Sequence, residues 1–459
     1  MPMNRIEKKE FNAMLKKLVI PIAMQQLMMA LVSVTDAVML GFISQDALSA
    51  VSLAGQVQFV YSLFLFAIMS GVSLLTAQYW GINDTKAVEK ILGIGLKISV
   101  VISLPFTVAA ICCPDLLMRV FASEQTLIEY GAEYLRAVAL SYLLLSISQI
   151  YLCIMKNCGK TVQSSVISSV SVILNAILNA MLIFGIGFFP KLGITGAAVA
   201  TVIAKLVELV WTLIIMFRKD SIKIRLPFLI HNDKTLSKDF RKYTMPILGN
   251  EIVWGVGFTM YSVIMGHLGS DSAAANSIAN IIKNLTVCFC TGVASASGIM
   301  VGNLLGSGQL EKAQRYGAKL VKISVVSGFI SGGIILCLIP AVPLFGTLSE
   351  TAQEYLRFML GVCSYYVVGK AINMTTISGI FPAGGDSKFG FKCDTITMWC
   401  VTVPLGLVSA FVLKLPVIVV YIIINIDEIV KLPAVFSHYR KYYWLKNLTH
   451  TEENNYDNA

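Results

Sequence analysis

Two carboxylates lie inside stretches that are otherwise apolar: Asp36 in "LMMALVSVTDAVMLGF" and Glu251 in "MPILGNEIVWGVGF". Inserting an acid at the middle of a membrane helix costs about 2.5 to 3.5 kcal/mol. Each acid is therefore expected to be protonated, paired, cation-bound or in contact with water, and every one of those states responds to ions. The chemistry this allows is coupling, in which a proton or small cation is taken up on one side of a membrane and released on the other. A structural alternative is that each acid pairs with a buried Lys or accepts hydrogen bonds that lock helices together. For Glu251 the positive end of its own helix supports that alternative, because Pro246 places it within the first two turns.

Amides and hydroxyls accompany the acids. In "QSSVISSVSVILNAILNAMLIFG", Ser164, Ser168, Ser171, Asn175 and Asn179 recur at spacings of four, three, four and four and form one helical stripe. The serines read as polar glue between helices, each contact worth about 0.6 kcal/mol. Asn175 and Asn179 read as the lining of a cavity near Asp36. Carboxylate and amide oxygens are hard ligands suited to Na+, with Asp36 and Asn175 as its first candidates, and a proton is the other coupling ion.

Asn276, Asn280 and Asn284 make a second row, open between packing and cavity lining. Lys370 has Tyr366 and Asn373 one turn to either side; it either pairs with an acid or stands in for a bound cation. Local ion pairs are expected for Lys205 with Glu208 and for Asp427 and Glu428 with Lys431, while Asp394 reads as a helix N-cap. The methionines at 24, 28, 29 and 39 suit a lipid-facing or core position, or the lining of a permissive pocket. No nucleophile elbow, phosphate loop, zinc-type His pair or nucleotide fingerprint occurs, so an enzyme is not expected. No cofactor is called for beyond the coupling ion, and transport would run on an ion gradient. The ten cysteines lack metal spacing and read as small packing residues.

The elements that must position these groups follow from hydropathy. The chain is 56% hydrophobic and 14% charged, with a mean hydropathy of +0.74, beyond what a water-soluble core conceals. It reads as an all-α integral membrane protein. About twelve apolar runs of spanning length begin near residues 18, 52, 92, 132, 163, 196, 244, 276, 322, 356, 393 and 415. The net charge of +10 does not point to nucleic acid, because Lys and Arg gather before the first run and after the even-numbered ones. Lys86 and Lys90, Lys156 and Lys160, Arg218 to Lys242, Lys312 to Lys319, and Arg440 to Lys446 all follow this rule, with Arg119, Lys191 and Lys414 as exceptions. Both termini are then cytoplasmic, and the basic, amphipathic start carries no cleavable signal.

A shift of 225 positions lays Pro21 on Pro246, Gly41 on Gly266, Asp46 on Asp271, Gly81 on Gly306 and "KIS" at 97 on "KIS" at 322. A gap of four then aligns "EYLR" at 133 with "EYLR" at 354. The halves are therefore parallel repeats of six spans, an architecture suited to alternating access. The expected division is an N-lobe at 1–219, a basic cytoplasmic linker at 220–243, a C-lobe at 244–440 and a polar cytoplasmic tail at 441–459. In this register Glu251 corresponds to Gln26 and Asp36 to Tyr261, so the repeats share a frame but not a chemistry.

Several stretches carry a resemblance: "DAVMLGFISQDALSAVSLA", "ILNAILNAMLIFGIG", "GITGAAVATVIA", "GHLGSDSAAANSIA" and "PAGGDSKFGFKCD". They are similar to the multidrug and toxic compound extrusion family, MATE, over nearly the whole chain. The resemblance implies a V-shaped transporter of two six-helix lobes that exports cationic amphipathic drugs in exchange for Na+ or H+. It matches Asp36 to the family's first-span acid, Glu251 to the seventh-span acid of the sodium-coupled bacterial branch, and Asn175 to a fifth-span asparagine. Asn179 stands where some relatives carry a second acid. That branch also has a span-ten acid, and here the corresponding place is Ala371, beside Lys370.

The expectation is a multi-pass cell-membrane antiporter, monomeric, with cationic amphipathic substrates and no nucleic-acid partner. Asp36, Asn175 and Asn179 would bind the coupling ion. Glu251, Gln26, Tyr261, Asn280, Lys370 and Asn373 would form the substrate or second cation site. The alternative within transport is a flippase of lipid-linked or other amphipathic metabolites, which predicts a cationic cavity. A non-transporting scaffold would tolerate loss of both acids.

Overall fold

A membrane leaves backbone N–H and C=O groups no partner but each other, so long apolar runs become long helices. The computed structural model describes residues 3–187, 189–218, 221–230, 233–344 and 348–449; Lys219, His231 and His450 lie outside them. Spans one to three are Arg5–Gly41, Gln45–Gly81 and Thr85–Cys112, and span four is the pair Gln125–Val138 and Leu140–Asn157, bent by 45°. Spans five to nine are Thr161–Phe184, Gly193–Met216, Lys234–His267, Ser270–Gly306 and Leu310–Leu338. Among the described residues nine helices are long and apolar enough to cross a membrane, ten with the bent pair.

The runs near 356 and 415 are helical as well. The first is Glu350–Asn373, continued by π-helical turns at Met374–Ile380. The second is broken into Val417–Ile424, Asp427–Val430 and Leu432–Arg440. Between them span eleven runs Ser387–Val412, with further π-helical turns at Thr395–Thr402. Such turns widen a helix locally and recur at functional sites. Asp394 does not cap a helix: it is the last residue of Ser387–Asp394, and its carboxylate is held by a lysine of the last span.

Contacts group the chain into two units. One comprises Leu27–Thr76 and Asp84–Arg241. Its core includes Tyr61, whose hydroxyl donates to the Tyr142 carbonyl at 2.8 Å. The linker is fastened to this unit: Arg225 meets Glu89 at 2.5 Å and Lys90 meets Asp233 at 2.8 Å. Asp233 also caps span seven, accepting from the backbone N–H groups of Thr235 and Leu236.

The other unit comprises the described residues up to Gln26, Ala77–Asn83 and those from Lys242 onward. Its packing explains one repeated pair. A Cβ on Gly306 would lie 1.9 Å from the Gln78 carbonyl oxygen, and one on Gly81 would lie 2.1 Å from that of Asn303. The matched glycines are where the ends of spans two and eight touch backbone to backbone. The segment after Arg440 is anchored by Trp444, which is fully buried, and by Leu448, whose N–H donates to Gln78 Oε1 at 2.6 Å.

Candidate functional site

The Leu27–Arg241 region carries the first group. Span five places Asn179 beside span one, and its Nδ2 donates to Asp36 Oδ1 at 2.7 Å. Asn179 is buried, and its own amide oxygen has no partner among the described residues. No Lys or Arg of the described residues lies within ion-pair distance of Asp36. A carboxylate with one amide donor and no cation is an arrangement that a proton or small cation completes. Asn175, one turn earlier, turns elsewhere, donating to Thr201 at 3.2 Å on span six. The structure thus brings Asp36 and Asn179 together and gives Asn175 a helix-packing bond.

The serine stripe behaves as glue: Ser164 donates to the Leu152 carbonyl and Ser171 to that of Ala204, each at 2.9 Å. Lys205 and Glu208 pair at 3.0 Å as expected. Glu208 further accepts from Ser148 and Gln149, both at 2.8 Å, partners that local spacing did not announce.

In the other unit the candidates divide into two groups. Glu251, Trp254 and Phe258 follow one another along one face of span seven, with the two rings stacked at 5.6 Å. Lys370 lies over the rings of Trp254 and Tyr366, at 5.7 and 5.8 Å. A second lysine, absent from the sequence-based candidates, meets the same aromatic group. Lys283 is 3% exposed and sits 4.7 Å from the Tyr366 ring and 5.7 Å from that of Phe258. Among the described residues neither ammonium has a carboxylate within ion-pair distance, and Glu251 makes no ion pair or hydrogen bond. Cation–π contact of this kind contributes about 1 to 2 kcal/mol when desolvated, too little to neutralise two buried charges. Lys283 follows the half-buried Asn280 by three residues; the test that singled out Lys370, a lone charge in an apolar run, identifies it equally well. Gln26 is half-buried in this unit and Tyr261 is in its core.

The second group gathers on Lys431. Its Nζ lies 2.8 Å from Asp394, 3.5 Å from Asp427 and 3.5 Å from Glu428, all four side chains being nearly inaccessible. Asn373 joins them, donating to Glu428 Oε2 at 2.7 Å and to its backbone carbonyl at 2.8 Å. Asn373 therefore stands apart from Lys370 although one turn separates them. The local pairing expected around Lys431 is present, with Asp394 added.

Comparison with known proteins places these groups in context. The family model described as MatE matches residues 21–181 and 246–408, two matches that start at the prolines aligned by the internal repeat. A probable multidrug resistance protein NorM of Thermotoga maritima is 24% identical over 88% of this chain and 86% of its own. The multidrug resistance protein NorM of Burkholderia vietnamiensis is 26% identical over 86% of each chain. A solved outward-facing multidrug resistance MATE family transporter of the MOP superfamily superposes with a TM-score of 0.85 at 19% identity, covering 94% of this chain and 95% of the other. A MOP superfamily transporter from Pyrococcus furiosus, whose binding pocket is described as of reverse polarity suggesting a different function, gives 0.84 at 20% identity over 94% and 95%.

Proposed function

The chain belongs to the MatE family of multi-pass membrane transporters, which are not enzymes, and we propose that it is a secondary active exporter of amphipathic organic compounds driven by entry of H+ or Na+. The observation that carries this reading is Asp36, a membrane-embedded acid held, among the described residues, by Asn179 alone. It loads the coupling ion on one side and releases it on the other as the two repeats, 1–219 and 244–440, alternate in access. The termini are cytoplasmic and the working unit is the monomer. A membrane potential supplies about 2.3 kcal/mol per charge per 100 mV, and a tenfold ion gradient about 1.4 kcal/mol. One ion exchanged for one monocation moves no net charge, so use of the potential requires two ions per monocation, or a neutral or anionic substrate.

Purified protein in liposomes tests this: a fluorescent lipophilic cation is loaded and a Na+ gradient or a pH gradient is imposed separately. Export under one gradient supports antiport and names the ion. No export under either, from protein shown to be folded, overturns the drug-efflux reading.

A second reading concerns substrate charge. Cationic drugs are what Glu251 and the family resemblance favour, whereas Lys283 and Lys370, sharing the Tyr366 ring without a carboxylate, favour an anionic amphiphile such as a lipid-linked phosphate. Parallel assays with an anionic and a cationic dye of equal hydrophobicity separate the two.

A further inference from the structure

A cavity of about 610 Å³ opens between the first residues of span one, the start of span nine and the C-terminal segment. We propose that it binds the headgroup of an anionic phospholipid, with the acyl chains running along the exposed face of span nine.

Lys8, Arg315, Lys319 and Lys322 line the cavity, together with a single acid, Glu311. Glu311 turns its carboxylate outward, 87% exposed, and meets Arg315 at 3.5 Å. Arg315 is oriented by Glu7 at 3.0 Å. Lys319 donates one hydrogen bond to Asn12 Oδ1 at 3.0 Å and sits 4.1 Å over the Phe11 ring, leaving two of its three N–H donors for a ligand. Lys8 and Lys322 are exposed, and neither has a carboxylate within ion-pair distance among the described residues. The lining therefore carries a surplus of cations with free donors, and its volume falls in the range of small-ligand sites, about 300 to 1,000 Å³. Tyr442, held at a φ of 55° that side chains rarely adopt, adds an aromatic wall.

The exposed apolar face beside the cavity selects a lipid over a soluble anion. Arg315, Lys319, Lys322, Val326 and Phe329 recur at spacings of four, three, four and three, one continuous stripe of the Leu310–Leu338 helix. Below Lys322 that stripe becomes apolar and open: Val326 is 57% exposed and Phe329 64%. At 1.5 Å per residue the step from Lys322 to Phe329 is about 10 Å, the direction in which a lipid passes from headgroup to hydrocarbon. A basic pocket at the end of a membrane helix is the ordinary recognition site for an anionic headgroup.

Native mass spectrometry of the delipidated protein tests the proposal, with phosphatidylglycerol and phosphatidylcholine titrated separately and inorganic phosphate as the soluble competitor. Wild type is expected to retain one phosphatidylglycerol in strong preference to phosphatidylcholine. Lys319→Gln with Lys322→Gln is expected to weaken retention by about 30-fold, from roughly fivefold per charge, and Lys322→Gln alone, which loses no internal partner, by about fivefold. Lys16→Gln with Lys17→Gln, exposed lysines outside the cavity, is the control and leaves retention unchanged. Equal loss in that control, equal binding of phosphatidylcholine, or full displacement by millimolar phosphate overturns the proposal. The melting temperature of each variant without lipid shows that the fold is intact.

Discussion

The two units answer the same problem, polar groups in hydrocarbon, with different sets of partners. In the unit built on Leu27–Arg241, Asp36 is held by an amide and has no cation at ion-pair distance among the described residues, while Glu208 is satisfied by a lysine, a serine and a glutamine. In the unit that follows Lys242, two lysines meet one tyrosine ring with no carboxylate at ion-pair distance among the described residues, three acids collect on a third lysine, and Glu251 stands without an ion pair. A common frame of six spans per repeat therefore does not carry a common site. The first unit leaves one embedded acid without a cation, and the second leaves both an acid and two lysines without partners of opposite charge among the described residues.

The largest test of this contrast is Lys431→Met. Removing the one ammonium from among three buried carboxylates is expected to destabilise the second unit by about 3 to 5 kcal/mol, read as a drop in melting temperature. Adding Asp394→Asn, which leaves one fewer unpaired charge, recovers part of the loss. An unchanged melting temperature would mean that the carboxylates are already protonated and the contrast is weaker than drawn.

Substrate charge comes next. Lys283→Gln with Lys370→Gln is expected to lower the apparent affinity for an anionic dye by at least about tenfold, one tenfold step being about 1.4 kcal/mol, and to leave or improve transport of a cationic one. The reverse result would make the lysines packing residues and leave the selection of substrate charge to Glu251 without them.

Within the first unit, Asn179→Ala removes a hydrogen bond to a charged group, worth about 1.5 to 3 kcal/mol. The expected outcome is a shift of about tenfold or more in the concentration of coupling ion that half-saturates transport. Asn175→Ala loses only a neutral bond to Thr201, about 1 kcal/mol, and is expected to lower stability without moving that concentration. If both behave alike, Asn175 belongs to the ion site after all.

The smallest effect is at Asp233. The Lys90 hydrogen bond holds its carboxyl below the usual carboxylate range, so its stabilisation is complete above the unfolded value near 3.9 and fades as pH falls through the folded one. Asp233→Asn keeps a good helix cap and is expected to cost about 0.2 to 1 kcal/mol at pH 7. The difference from wild type closes below about pH 4, measured as paired thermal melts.

These residues also show what a sequence discloses. Span positions were legible because hydrocarbon demands long uninterrupted apolar runs, and the repeat was legible because close helix contacts tolerate only glycine at Gly81 and Gly306. Asp36 and Asn179 were legible because a lone acid and a period-four amide stripe stand out. Asp394 was misread, since its partner Lys431 is remote in sequence and a lysine two residues away suggested a helix end. Lys283 was overlooked between two asparagines that looked like the signal. Glu208 gained two partners from span four that no local spacing encodes. Pairing between distant spans depends on which helix faces meet, and periodicity alone does not settle that.

The measurement that bears most directly on the account is gradient-driven export by Asp36→Asn in liposomes, beside wild type and Glu251→Gln, under separate Na+ and pH gradients. The account predicts that Asp36→Asn binds dye but no longer exports it under the gradient that drives wild type, while Glu251→Gln alters substrate preference and keeps coupling. Undiminished coupled export by Asp36→Asn would contradict it and move ion coupling out of the first unit.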